Sequence, residues 1–172
     1  DCLVLGFFNQ STLTGLAEKI NHLSDGKFLE ILKQNNFSGK SEELFWLPYF
    51  PSIAAKSILC VGFDPKKIGE PTTFYRILKN LFSFLQKSQQ KNIILEFASA
   101  LTEYYSKAYI LTKIGQIARE TEYQFTDFKQ NPSPISHFNA FYLESHFSDL
   151  SNFEKFFQNG LCIGNAVNQA KH

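Results

Sequence analysis

The sequence predicts an α/β domain built on a mixed, largely parallel five-stranded sheet with helices on both faces. Three observations carry this. Short, near-continuous apolar runs alternate with longer stretches whose apolar residues recur at helical spacing. Helix-length segments separate most of the runs, which calls for crossovers between parallel strands. One pair of runs, Leu44–Leu47 and Ser57–Phe63, is joined by only about ten residues, a length that suits antiparallel neighbours and makes the sheet mixed.

Cys2 to Phe8 is almost wholly apolar, as a strand buried on both faces must be. Leu13, Leu16, Ala17, Ile20 and Leu23 follow on one helical stripe, ended by Ser24-Asp25-Gly26. A shorter helix, Lys27 to Gln34, presents Phe28, Ile31 and Leu32, and Asn35-Asn36 closes it. The second strand, Leu44 to Leu47, stops at Pro48 and Pro51; the third, Ser57 to Phe63, stops at Asp64-Pro65.

Pro71 opens a helix that turns Phe74, Ile77, Leu78, Leu81, Phe82 and Leu85 to the core. Asn92 to Phe97 is the fourth strand. A long helix from Leu101 to Thr121 carries Tyr104, Tyr105, Ala108, Leu111, Ile114, Ile117 and Ala118 on a broad apolar face. Lys129 to Pro134, with two prolines, is a loop. Ser136 to Leu143 is the fifth strand, with Phe138, Ala140 and Tyr142 alternating against His137, Asn139 and Phe141. A last helix begins at the capping box Ser151 to Glu154 and continues to His172. The resulting order is β-α-α-β-β-α-β-α-β-α.

Two features of this last helix stand out. No glycine, proline or polar tail stops it after Ala170, and the chain has no Met, so the reading is an excised single domain, 1–172. Gly160 and Gly164 lie four apart within it, each costing about 1 kcal/mol relative to Ala in a helix interior. That expense points to another backbone approaching closely, either the domain's own sheet or a downstream part of the protein.

Composition narrows the function. A net charge of +1 supplies no global field for nucleic acid or an anionic membrane. No apolar run approaches the ~20 residues of a membrane span. Cys2, Cys60 and Cys162 are odd in number and far apart, without a C-x-x-C, so buried free thiols are the expectation.

The search for chemistry is mostly negative. Gly62-Phe63-Asp64-Pro65-Lys66-Lys67 follows a strand, yet it lacks phosphate-loop glycine spacing and Pro65 removes an N–H. His22, His137, His146 and His172 are dispersed, with no pair on one helical face. His146 lies near Glu144 and Asp149, where surface capping is expected. Glu42 and Glu43 are adjacent, so their side chains diverge. Glu96 ends a strand, where open α/β sheets place ligands, but it stands alone. Lys79, Lys87 and Lys91 form at most a solvated basic patch. No catalytic, cofactor-binding or metal-binding residue is assigned.

The order of short motifs resembles the N-terminal domain of the leucyl (cytosol) aminopeptidases, the M17 metallopeptidase family. The resemblance runs through Asp1-Cys2-Leu3-Val4, Ser24-Asp25-Gly26, Phe37-Ser38-Gly39-Lys40 and Ile58-Leu59-Cys60-Val61-Gly62. Tyr123-Gln124-Phe125-Thr126-Asp127-Phe128-Lys129 is similar to that family's Tyr-Arg-Phe-Asp-x-Tyr-Lys, with Gln124 for Arg and Phe128 for the second Tyr. Gly160 and Asn165 to Lys171 resemble the helix leading to the family's catalytic domain, with Lys171 for the usual Arg.

The resemblance implies a macro-domain-like accessory domain with residues 151–172 starting the connector helix. It implies a two-metal (Mn or Zn) peptidase site in a C-terminal domain whose motifs this chain lacks. It further implies a cytoplasmic homohexamer acting on the N-termini of peptides. Two other readings stay open at this point: a free-standing macro-type domain binding ADP-ribose, and a DNA-binding module.

Overall fold

Every residue of β1 (Cys2–Phe7) is apolar, and its alternate side chains serve two separate cores. Cys2 and Val4 point to one; Leu3, Leu5 and Phe7 point to the other. β3 (Ser57–Gly62) repeats the division, with Leu59 and Val61 against Ile58 and Cys60. The computed structural model describes residues 2–8, 13, 15–98, 100–122, 138–143 and 150–171. Among them the strands form one sheet in the order β2-β3-β1-β4-β5, with β2 (Leu44–Leu47), β4 (Asn92–Glu96) and β5 (Ala140–Leu143) completing it. β1 pairs in parallel with β3 and β4, and β4 with β5; β2 alone is antiparallel, to β3.

α1 (Gly15–Leu23) and α2 (Lys27–Gln34) cover the Leu3–Leu5 face through Ala17, Ile20, Phe28 and Leu32. The break between them is built as the sequence suggests. Asp25 and Gly26 both take left-handed φ, 51° and 83°. The Phe28 N–H donates to Ser24 Oγ at 3.3 Å and the Leu29 N–H to Asn21 Oδ1 at 2.9 Å, satisfying open donors at the start of α2. Leu23 departs from expectation: it is 71% exposed, because the turn begins there and swings its side chain off the stripe.

α3 (Pro71–Lys87) and α4 (Lys107–Thr121) cover the other face. All six predicted core residues of α3 are buried. The helix predicted from Leu101 is in two pieces. A 3-10 turn spans Ala100–Glu103, and α4 starts only after Ser106, whose Oγ accepts the Tyr109 N–H at 3.3 Å. The cap wins locally because serine's hydroxyl satisfies a helix-start donor better than helix continuation would. Tyr105, freed from the helix, donates its hydroxyl to Ile68 O at 2.7 Å.

α5 (Leu150–Gln169) lies on α4. Its described span starts at Leu150, one residue before Ser151. In β5 the inward residue is Phe141, packed on Phe82 and Phe157 with ring centroids 5.7 and 5.6 Å apart, while Tyr142 is 56% exposed. The predicted Phe138–Ala140–Tyr142 face therefore breaks: Phe138 precedes the strand proper and packs on Phe82 independently. The Lys129–Pro134 loop, the Tyr123–Lys129 motif, His137, His146 and His172 lie outside the described residues.

Candidate functional site

In parallel sheets, ligands bind beyond the carboxyl ends of the strands, where the chain departs to opposite sides. That place lies here around β1, between β3 and β4. It is filled by phenylalanine. Phe8 stacks on Phe63 with centroids 4.9 Å apart, and Phe63 meets Phe97 at 5.2 Å. The three rings crowd Gly6, where an added Cβ would overlap Phe97 and come within 3.2 Å of Phe63.

The turn after β3 offers no anion cradle. Gly62 N–H donates to Glu43 O and Phe63 N–H to Phe7 O. Lys66 N–H is taken by Asp64 Oδ1 at 3.0 Å, and Lys67 and Ile68 N–H both by Asp64 O. Pro65 has no N–H, and the N–H groups of Lys66, Lys67 and Ile68 all turn back to Asp64. Glu96 closes β4, opposite Leu5 of β1 in the register.

The Phe37-Ser38-Gly39-Lys40 segment passes over this same edge. Its Gly39 (φ 67°) and Lys40 carbonyls press on Gly62, which leaves no room for a side chain there. Glu43 holds the segment: its carboxylate accepts Ser38 N–H at 3.1 Å, Ser38 Oγ–H at 2.7 Å and Lys40 N–H at 3.0 Å. Burial raises the Glu43 pKa, but these donors and the Lys40 charge outweigh it and hold the group below its ordinary 4.5. Glu42, at φ 69°, turns away to meet Arg76 at 3.1 Å and Asn80 at 3.3 Å. The two carboxylates thus diverge, as their adjacency predicts, and serve as ties.

The remaining candidates scatter. His22 ends α1. Lys79 stands 5.7 Å over the Tyr75 ring, and the carbonyl of Lys91 accepts the Asn139 N–H. Cys2 and Cys60 are buried; burial pushes the Cys2 thiol up to about 11 and Cys60 higher still, so neither offers a thiolate. Among the described residues no three His, Cys, Asp or Glu come together as a metal would require.

A cleft of ≈ 380 Å³ between α3, α4 and α5 holds Tyr75, Lys79, Glu120 and Lys171. Both Glu120 oxygens are already engaged, by Tyr75 O–H at 3.0 Å and Gln116 Nε2 at 2.7 Å. Burial, then Glu120, raises the Tyr75 pKa, so this phenol stays protonated.

The densest contact joins α4 and α5. A Cβ on Gly160 would overlap Thr112 O; one on Gly164 would lie 2.6 Å from Gln116 O; one on Gly115 would lie 2.5 Å from Phe157 O. The partner of the paired glycines is α4, neither the sheet nor a downstream part. Contacts advance together along both helices, which therefore run in the same direction. Thr112 Oγ1–H donates to Phe156 O at 3.2 Å and Asn168 Nδ2–H to Arg119 O at 2.9 Å. Gly115 carries the same sequence signal as Gly160 and goes unassigned from sequence because α4 reads well without it.

Residues 4–132 match the Cytosol aminopeptidase family, N-terminal domain. The chain belongs to this family. Similar proteins include the probable cytosol aminopeptidase of Tolumonas auensis, 24% identical over 96% of the chain and 34% of that protein. That of Hamiltonella defensa is 21% identical over 100% and 34%. A tomato leucine aminopeptidase mutant shares the fold at TM-score 0.72 and 16% identity, over 93% of this chain and 32% of that one. The bottromycin maturation enzyme BotP does so at 0.66 and 12%, over 98% and 31%. The chain of this cytosol aminopeptidase N-terminal domain thus spans about a third of the length of the curated relatives it matches.

Proposed function

We propose that the chain is a non-catalytic accessory domain of a metalloaminopeptidase. The single observation that carries this reading is the match of residues 4–132 to the N-terminal domain of the family. The chemistry then belongs to a C-terminal portion of the kind that occupies the other two thirds of the relatives. In this reading the whole enzyme removes N-terminal residues from peptides at a two-metal (Mn or Zn) site in that portion. It works in the cytoplasm as a homohexamer, and residues 151–172 begin the connector to the catalytic domain.

The engaged state of the candidate groups supports assigning no catalytic residue here. Glu43 and Glu120 have their oxygens occupied, and after β3 the N–H groups of Lys66, Lys67 and Ile68 donate to Asp64. The test is an assay of the 172-residue chain on leucine-p-nitroanilide with Mn²⁺. No hydrolysis above the buffer rate is expected; turnover at enzyme-like rates would overturn the assignment.

A further inference from the structure

We propose that the free edge of β2 pairs with the β2 edge of a second copy of this chain, joining the two sheets into one. The inference goes beyond the reading above and does not depend on it. β2 is the outermost strand on its side of the sheet, and its ladder to β3 shows which groups face outward. The Gly62 N–H donates to Glu43 O at 2.9 Å, so Glu43, Phe45 and Leu47 turn their backbone polar groups to β3. Leu44 and Trp46 turn theirs outward, and among the described residues no hydrogen bond reaches them.

Edge strands that stay alone are guarded by charge, proline or a bulge. Here the guards stand only at the ends. Pro48 has no N–H to offer. At the other end Glu42 and Glu43 together oppose Gly62 as a bulge, with Glu42 at φ 69° and its N–H turned inward to Gly62 O at 3.3 Å. Between these ends, Leu44-Phe45-Trp46-Leu47 carries no charge. The guards bound a ladder without abolishing it.

The register chooses the occupant. A copy related by a two-fold axis through Phe45 sets Leu44 opposite Trp46 of the second copy, and Trp46 opposite its Leu44. Each outward N–H then meets an outward C=O. The next outward position sets Glu42 opposite Pro48 of the second copy, two residues with no N–H facing out. The edge therefore ends where its own copy ends. A longer foreign strand would bring acceptors to Pro48 and Glu42 that find no donor. Glu42 and Glu43 face Pro48 and Leu47, so no like charges oppose each other. On one face Trp46, already 5.5 Å from the Phe84 ring, gains Leu44 of the second copy; on the other, Phe45 meets its own copy. A ladder this short belongs with weak contacts, below the ~1,200 Å² of stable ones, so pairing rises with concentration.

A disulfide reads this register. Residues facing each other in a non-hydrogen-bonded pair have Cα atoms about 4.5 Å apart, within disulfide reach. Cys162→Ser first removes the exposed native thiol. In that background, Phe45→Cys should form a covalent dimer under copper phenanthroline at least about tenfold faster than Tyr49→Cys. Tyr49 is 72% exposed, but in this register it lies far from its own copy. Equal rates, or a faster Tyr49→Cys, overturn the proposal. Phe45 also packs on Phe37, at 5.9 Å, so the parent chain supplies a second measurement. Its sedimentation should move from monomer toward dimer as concentration rises, and Leu44→Lys, which sets a charge in the edge, should weaken that association about tenfold. A parent chain that stays monomeric at millimolar concentration, or a dimer that Leu44→Lys leaves as strong, also overturns the proposal.

Discussion

The Cα of Gly160 faces the carbonyl oxygen of Thr112 across the α4–α5 seam, with no space for a methyl group between them. Intrinsic propensity alone would make Gly160→Ala stabilising by about 1 kcal/mol. The seam reverses the sign, since a Cβ there also meets Gln116 N at 2.8 Å and neither obstacle is a flexible side chain. Gly160→Ala should destabilise by about 1–3 kcal/mol, the usual cost of overpacking. Denaturant unfolding followed by the single Trp, Trp46, which is half-buried against Phe84, measures it. A gain in stability would mean the helices do not approach this closely.

Glu43 ties the Ser38–Lys40 segment down as a carboxylate. Its folded pKa is lowered, so its contribution is fully present above the unfolded value and is lost as pH falls through the folded one. Glu43→Gln should lose about 1–2 kcal/mol at pH 7. The difference from the parent chain should shrink as pH falls below 4.5, the ordinary value. A difference that is constant from neutral to acid pH would show that the charge plays no part.

Glu122 is 8% exposed and receives two donors, Arg119 Nη1–H at 2.7 Å and the Phe138 N–H at 2.9 Å. It thereby fastens the start of the β5 segment to the end of α4. Glu122→Ala strands both donors and should cost about 2–4 kcal/mol. Amide hydrogen exchange should speed up at β5 before it does so at β1 or β3. Uniform acceleration over the whole sheet would count against a local fastening.

Phe63 is fully buried where a ligand crevice would otherwise lie. Titration calorimetry with ADP-ribose should give no binding heat at micromolar concentrations. Phe63→Ala should destabilise the chain by about 3–5 kcal/mol. Micromolar ADP-ribose binding by the parent chain would revive a ligand-binding role for this edge.

Much of the fold is legible in the sequence because it follows from periodicity. α2 and α3 occupy the spans that their apolar spacing and punctuation predict, and β2 does likewise, ending at Pro48. The misreadings occur where one local bond outcompetes the pattern. Ser106 interrupts a continuous apolar stripe by capping α4, and nothing in the spacing of Tyr104 and Tyr105 announces it. Leu23 fits the stripe of α1 but falls at its last turn. The glycines of α5 show that a backbone comes near, but not which one; that requires knowing that α4 and α5 lie side by side. The ties made by Glu43 and Glu122 depend on geometry alone. Each joins groups from segments whose approach only the folded chain creates.

The interlocked glycines of α4 and α5 also set an angle. Sliding α5 by one residue would turn it by about 100° and advance it about 1.5 Å. It would also bring Leu161 or Asn159 to the position where Gly160 now meets Thr112. No such intermediate step is sterically open, so α5 behaves like a keyed shaft. The compass bearing of Ile163 and Ala166 is decided inside the domain, on the opposite side of the helix.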